Sequence, residues 1–198
     1  SKIIIRGYMK RGDIVQGNVI KVSFPNKGII ETAEGDKLRV KGVLPGQKVS
    51  VRVKKSSKDK AQGTLMSVDA PSPMEMDKPK CMHFGKCGGC SYQTLPYDEQ
   101  LRIKEAMISD LLVPVIGEDS WKRANEGIKS SPKQFEYRNK MEFSFGDEVK
   151  DGSLALGMHK KGSFYDVVTV NDCRIIDSDM RRVLTITLTY FTKLGQTY

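Results

Sequence analysis

Four cysteines are the side chains of this sequence best suited to chemistry. Three lie in one run, Cys81-Met82-His83-Phe84-Gly85-Lys86-Cys87-Gly88-Gly89-Cys90, and Cys173 stands alone downstream. Thiolates are soft donors that select zinc, copper(I) or iron–sulfur centres. The run reads C-x5-C-x2-C. A zinc ribbon usually supplies two C-x2-C pairs, and here there is one. Three loop thiolates joined by a distant fourth are closer to iron–sulfur ligation, as in the plant-type C-x4-C-x2-C…C pattern. Gly88 and Gly89, lacking Cβ atoms, let backbone N–H groups approach cluster sulfurs. Spacing alone leaves an iron–sulfur cluster, a zinc site and a group of redox thiols open. His83 could also ligate, but four cysteines complete a tetrahedral set, so a packing or surface role is expected for it. Any metal held this way would fasten residue 173 to the loop at 81–90.

The elements that must position these thiols are set by size and charge. A chain of 198 residues with a 38% hydrophobic fraction can build one large domain or two small ones. No run approaches the roughly 18–20 apolar residues of a membrane helix. The stretch Ile3-Ile4-Ile5 is too short for a secretory signal. The expectation is a cytoplasmic monomer whose cysteines stay reduced, where clustered thiols serve metals more often than disulfides. Net charge is +9, and residues 1–70 carry all of it, with 15 Lys and Arg against 6 Asp and Glu. Residues 71–198 hold 18 of each sign. A small domain this basic is suited to neutralising phosphates and releasing their counterions.

Between Asp13 and Asp69 short apolar runs alternate with turns. The runs include Val19-Ile20, Ile29-Ile30, Leu38 to Val43, Val49 to Val53 and Thr64 to Val68. Pro25-Asn26-Lys27-Gly28, Glu34-Gly35-Asp36, Leu44-Pro45-Gly46 and residues 56–60 punctuate them. About five strands at this spacing predict a small barrel. An OB-type barrel commonly binds single-stranded nucleic acid, and an SH3-like barrel would give much the same pattern. Arg52 and Lys54 alternate with apolar Val51 and Val53, so they should face solvent or RNA. Arg39 and Lys41 rank with them. Tyr8 and Phe24 are the aromatic candidates for base stacking here, which favours backbone and shape contacts.

Ala70-Pro71-Ser72-Pro73 and Lys78-Pro79-Lys80 mark a boundary. A helix is expected over Tyr97 to Leu112, with Leu101, Ile108, Leu111 and Leu112 on one face and Pro114 ending it. From Tyr137 the period becomes two. Tyr137, Met141, Phe143 and Phe145 alternate with Arg138, Lys140, Glu142 and Ser144, predicting a strand with Arg138 and Lys140 on one face. Asp151-Gly152 should turn the chain into a second strand at Leu154 to Met158. A third, Phe164 to Val170, would deliver Cys173. The tail, capped by Asp177 or Ser178, reads as a helix with Val183, Leu184, Leu188, Phe191 and Leu194 as its stripe. The expected division is a barrel at 1–70, a linker, cysteine loop and helix at 71–115, and a partial α+β domain at 116–198. The fold class expected is mostly β with α.

These residues together resemble the bacterial RNA uracil-C5 methyltransferases with a TRAM domain, the family that makes 5-methyluridine in 23S rRNA. Val43-Leu44-Pro45-Gly46-Gln47-Lys48-Val49 looks like the TRAM barrel. Cys81, His83-Phe84-Gly85, Cys87-Gly88-Gly89-Cys90 and Gln93 look like the family's iron–sulfur motif, followed by Tyr97, Gln100-Leu101 and Lys104. Tyr137-Arg138-Asn139-Lys140-Met141-Glu142-Phe143, then Leu156-Gly157-Met158, Val167-Val168 and Cys173, look like its central domain. The resemblance implies a [4Fe–4S] cluster on Cys81, Cys87, Cys90 and Cys173 beside an OB-like TRAM barrel that helps hold structured RNA, with 23S rRNA ahead of tRNA. Arg39, Lys41, Arg52, Lys54, Arg138 and Lys140 are the expected RNA contacts.

The family's reaction needs a cysteine thiolate to add to C6 of uracil. The resulting enolate takes methyl from S-adenosylmethionine at C5, and a base then removes the C5 proton. The target base must also leave its stack. The resemblance places the methyl-donor domain, the nucleophilic cysteine and the base beyond the stretch that matches here. With all four cysteines committed to the cluster, the chain is expected to be the N-terminal portion of such an enzyme. Alone it should be inactive, and S-adenosylmethionine should bind only the full-length protein. The other reading is a stand-alone RNA-binding module with a structural iron–sulfur or zinc site, or the tRNA uracil-C5 counterpart.

Overall fold

The computed structural model describes residues 9–55, 61–76 and 78–198. They fall into two compact units, each discontinuous in sequence. The first takes in Ser1–Glu75 and Leu95–Lys129, and the second Met76–Thr94 and Ser130–Tyr198. This cuts across the three expected segments. The helix after the cysteine loop belongs with the barrel, and the loop itself with the C-terminal elements.

In the first unit, β1 (Ile14–Ser23), β2 (Lys27–Thr32), β3 (Lys37–Lys41), β4 (Lys48–Lys55) and β5 (Gln62–Ala70) close a barrel in the order β1-β2-β3-β5-β4. β1 pairs antiparallel with both β2 and β4, while β3 and β5 run parallel. Period-two alternation puts Ile30, Leu38, Val40, Val49 and Val51 inside, each at most 2% exposed. Burying one such side chain contributes roughly 1.5–3 kcal/mol. At the motif 44–47, Gly46 takes a φ of 83° and Gln47 is buried. The Gln47 Oε1 accepts from the Leu44 amide at 2.8 Å, and its Nε2 donates to Glu75 at 2.7 Å. The turn expected at 56–60 lies outside the described residues.

Two helices complete this unit, α1 (Tyr97–Ile116) and α2 (Glu118–Ala124). α1 runs four residues past its expected end. Pro114 sits inside its last turn, where it lacks the N–H that would bond the Asp110 carbonyl, and the helix runs on for two more residues. Gly117 stops the helix at φ 81°, its N–H donating to the Val113 carbonyl at 2.9 Å. The buried face is Ile103 and Met107, an i,i+4 pair. Ile108, Leu111 and Leu112, expected to be packed, are each more than 40% exposed. Among the described residues no helix is long and apolar enough to cross a membrane.

The second unit is an antiparallel sheet of β6 (Ser144–Asp147), β7 (Leu154–His159) and β8 (Val167–Thr169), with α3 (Ser178–Lys193). Leu156, Val168, Val170, Ile175, Ile176 and Leu184 form its core, with Met141 and Phe143 packed against it. The strand expected from Tyr137 is a ladder only from Ser144. The stretch before it is irregular, with a single bridge from Arg138 to Ile176 and a bend at Asn139, and only Met141 and Phe143 pack on the core. β8 is likewise shorter than expected, and Phe164 and Tyr165 are almost fully exposed. In the β6–β7 turn Asp151 adopts φ 60°. Gly152 is not among the positive-φ residues, so the Asp-Gly pair does not form the expected two-residue turn. Asp177 caps α3, its carboxylate accepting from the Met180 amide at 2.8 Å. Of the expected α3 stripe Leu184 is buried and Leu188 packs on the core, whereas Val183 and Leu194 are exposed.

Candidate metal centre

The cysteine run is a series of tight turns docked on the end of β7. The Cys87 amide donates to the His83 carbonyl at 2.9 Å, and the Phe84 amide to the Cys81 carbonyl at 3.1 Å. The Gly88 amide then bonds the His159 carbonyl at 3.0 Å, and the Lys161 amide the Lys86 carbonyl at 2.7 Å. A Cβ on Gly88 would stand 3.1 Å from that His159 oxygen, which favours glycine for the close approach. Cys173 arrives from the other side, in a turn after β8 closed by its amide on the Val170 carbonyl at 3.2 Å.

The two segments bring Cys81, Cys87, Cys90 and Cys173 to one cavity, lined also by Met141, Met158, Val170 and Ile175. Cys81 and Cys173 are buried, and Cys87 and Cys90 are half-buried. The Gly89 amide points at the Cys87 Sγ at 3.3 Å, as expected of a glycine beside a sulfur ligand. Gln93 ties the ring together. Its Oε1 accepts from the Cys81 amide at 3.2 Å, and its side chain hydrogen-bonds Cys90. His83 does not compete as a donor, because its Nε2 accepts from the Asp172 amide at 3.3 Å.

Burial pushes the Cys87 thiol above its usual value. The Gly89 N–H opposes the shift, and the other three thiols reinforce it. Burial also raises Cys90, against Gln93 and the nearby Arg138 charge. Burial and the neighbouring thiols disfavour the thiolate at Cys87 and Cys90, and a cationic centre held there would favour it. Among the described residues no three His, Cys, Asp or Glu side chains converge closely enough to hold a single metal ion.

The expected RNA contacts divide between the units. Arg39 and Lys41 on β3, and Arg52 and Lys54 on β4, all sit at exposed positions alternating with buried ones. β5 lies between these strands, with Arg39 opposite Gln62 and Arg52 opposite Thr64. Arg138 and Lys140 do not share a strand face. The Arg138 amide bonds the Ile175 carbonyl at 3.0 Å, its Nε donates to the Lys140 carbonyl at 3.1 Å, and its charge reaches Cys90. Lys140 pairs with Glu142 at 3.1 Å in full exposure. Sequence reasoning missed Arg181 and Glu136, which bond to each other and to the turn bearing Cys173. An arginine in the first turn of a helix, where the dipole disfavours a cation, was the available signal.

No family model matches the chain. Its relatives define a class, the RNA methyltransferases. Over 183 residues it is 42% identical to an uncharacterized RNA methyltransferase of Caldanaerobacter subterraneus subsp. tengcongensis, covering 92% of the chain and 39% of the relative. Another, from Clostridium tetani, is 42% identical over 189 residues with the same coverage. One relative with a stated substrate is the 23S rRNA (uracil(1939)-C(5))-methyltransferase RlmD of Legionella pneumophila, 30% identical over 160 residues, 81% of the chain and 35% of the relative. The chain is therefore homologous to proteins named RNA methyltransferases, and it spans about 39% of the length of the first of them.

Proposed function

We propose that this chain is the RNA-recognition and [4Fe–4S]-bearing part of an S-adenosylmethionine-dependent RNA (uracil-C5) methyltransferase of the cytoplasm, acting on 23S rRNA. The observation that carries the reading is the meeting of Cys81, Cys87, Cys90 and Cys173 at one largely apolar cavity. The donor set fits a cluster. Four thiolates binding four different irons need not converge on one point, whereas a tetrahedral zinc with Zn–S of about 2.3 Å demands that they do. When bound, the cluster would supply a covalent tie between the 81–90 loop and the turn at 173. This chain's own residues exclude water around it and orient its sulfurs through Gly89 and Gln93.

The barrel supports the RNA half of the reading. Its β1-β2-β3-β5-β4 closure with a parallel β3–β5 pair favours an OB-type, TRAM-like barrel over an SH3-like one. Exposed Arg39, Lys41, Arg52 and Lys54 provide phosphate contacts. With every thiol of this sequence lining one cavity, the nucleophile for uracil C6 belongs to other parts of the whole protein. The test is methyl transfer by that whole protein. Incubated with labelled S-adenosylmethionine and a 23S rRNA transcript, it should yield 5-methyluridine on nucleoside digestion. Label at any other atom, or in tRNA alone, would overturn the substrate assignment.

A further inference from the structure

The turn that carries Cys173 has four consecutive carbonyls to satisfy, and the structure shows how each is held. The Arg174 carbonyl accepts the Glu136 amide at 2.9 Å, and the Ile175 carbonyl accepts the Arg138 amide at 3.0 Å. The Cys173 and Ile176 carbonyls accept from one side chain, the Arg181 Nη1, at 3.2 and 2.7 Å. The other guanidinium nitrogen, Nη2, meets the Glu136 carboxylate at 2.6 Å. The Arg181 side chain is 16% exposed, and its two carbonyl bonds are partly buried, while the Glu136 carboxylate remains open to water. Glu136 holds φ 55°, an uncommon backbone for a residue with a side chain. That conformation lets one residue give its amide to the Cys173 turn and its carboxylate to Arg181. The arrangement places a cation in the first turn of α3, where the dipole disfavours it. The three bonds to Cys173, Ile176 and Glu136 offset that penalty.

We propose that Arg181 is a positioning residue for Cys173. By bracketing the turn at the carbonyls of residues 173 and 176, it fixes the direction in which the fourth sulfur enters the cavity. The proposal rests on the reading of the four cysteines as a cluster site. Such supporting partners commonly govern ligand retention by about 10–100-fold. Lysine could reach one carbonyl but lacks the planar fork that serves two carbonyls and a carboxylate together.

Wild-type protein, Arg181→Ala, Arg181→Lys and Glu136→Gln would be purified without oxygen and given an iron chelator and an alkylating agent. Iron release and modification of each cysteine would be followed together. Arg181→Ala should release iron about tenfold faster or more, and Cys173 should be alkylated ahead of Cys81, which is equally buried. Arg181→Lys should fall between Ala and wild type. Glu136→Gln keeps both carbonyl bonds and should stay near wild type. Release at the wild-type rate with Cys173 and Cys81 modified in step would overturn the proposal. If Arg181→Ala does not fold, wild-type behaviour of Arg181→Lys would overturn it equally. If wild-type protein holds no iron, the cluster reading fails, while the Cys173 to Cys81 ratio in the variants still decides the positioning role.

Discussion

Gly157 should be the glycine least able to accept a side chain, and Gly157→Ala tests how the sheet sets the fourth sulfur. A Cβ there would lie 2.0 Å from the Val168 carbonyl oxygen and 3.0 Å from the Val170 nitrogen. Both are backbone atoms of one short segment running into Cys173. Ordinary contact begins near 3.4 Å, so β8 must retreat by about 1.4 Å, the difference of 3.4 and 2.0. Overpacking of this kind destabilises by about 1–3 kcal/mol, and obstruction by backbone puts this case near the upper end. The shift also far exceeds the ~0.2 Å tolerance of a metal–ligand bond. Urea unfolding of the second unit should move to lower concentration, and iron retained after anaerobic purification should fall well below wild type. Gly146→Ala is the comparison, since it presses on the same strand less severely. Its Cβ would stand 2.5 Å from the Val167 Cγ2 and 3.0 Å from the Val167 Cβ, a smaller intrusion on β8 that meets no backbone atom closely, so iron should fall by less than in Gly157→Ala. Wild-type iron content and an unchanged urea midpoint in Gly157→Ala would refute the claim that β8 positions Cys173.

Other expectations follow from single contacts. Asp177→Ala removes the cap on the Met180 amide and should lower stability by about 1 kcal/mol in urea unfolding, with Asp177→Ser recovering most of it. Hydrogen bonds from Ser67 and Ser50 hold the Asp69 carboxyl below its usual value. Its contribution to stability is therefore complete above the ordinary carboxyl pKa of about 3.9 and is lost as pH falls through the lower folded value. An NMR titration should show the low midpoint, and Ser67→Ala should raise it. Arg52→Ala and Lys54→Ala should each weaken RNA binding across sequences and reduce the slope of log K against log salt by about 1; an unchanged slope would remove that residue from the phosphate-binding face.

The barrel was legible because its strands are half-buried and alternate cleanly, as Leu38, Arg39, Val40 and Lys41 do. The four thiols were legible from identity and spacing alone. The alternation after Tyr137 misled for a physical reason. Met141 and Phe143, two residues apart, both pack on the core although no neighbouring strand pairs with that stretch. The α1 stripe failed because Leu101, Ile108, Leu111 and Leu112 are apolar on a helix whose buried line is Ile103 and Met107. α2 has seven residues and none of them buried, so it offers no periodicity to read. Arg181 and Glu136 could not be paired from sequence, since 45 positions separate them and only the folded turn brings them together.

If the four cysteines hold a polynuclear iron centre, the purified protein must carry iron and sulfide together. Iron, acid-labile sulfide and zinc analysis of protein purified without oxygen tests it most directly. The expected result is a brown protein with about four irons and four sulfides per chain, lost together on replacing Cys173 with serine. A colourless protein carrying one zinc, or four thiols free to alkylation in the untreated protein, would contradict it.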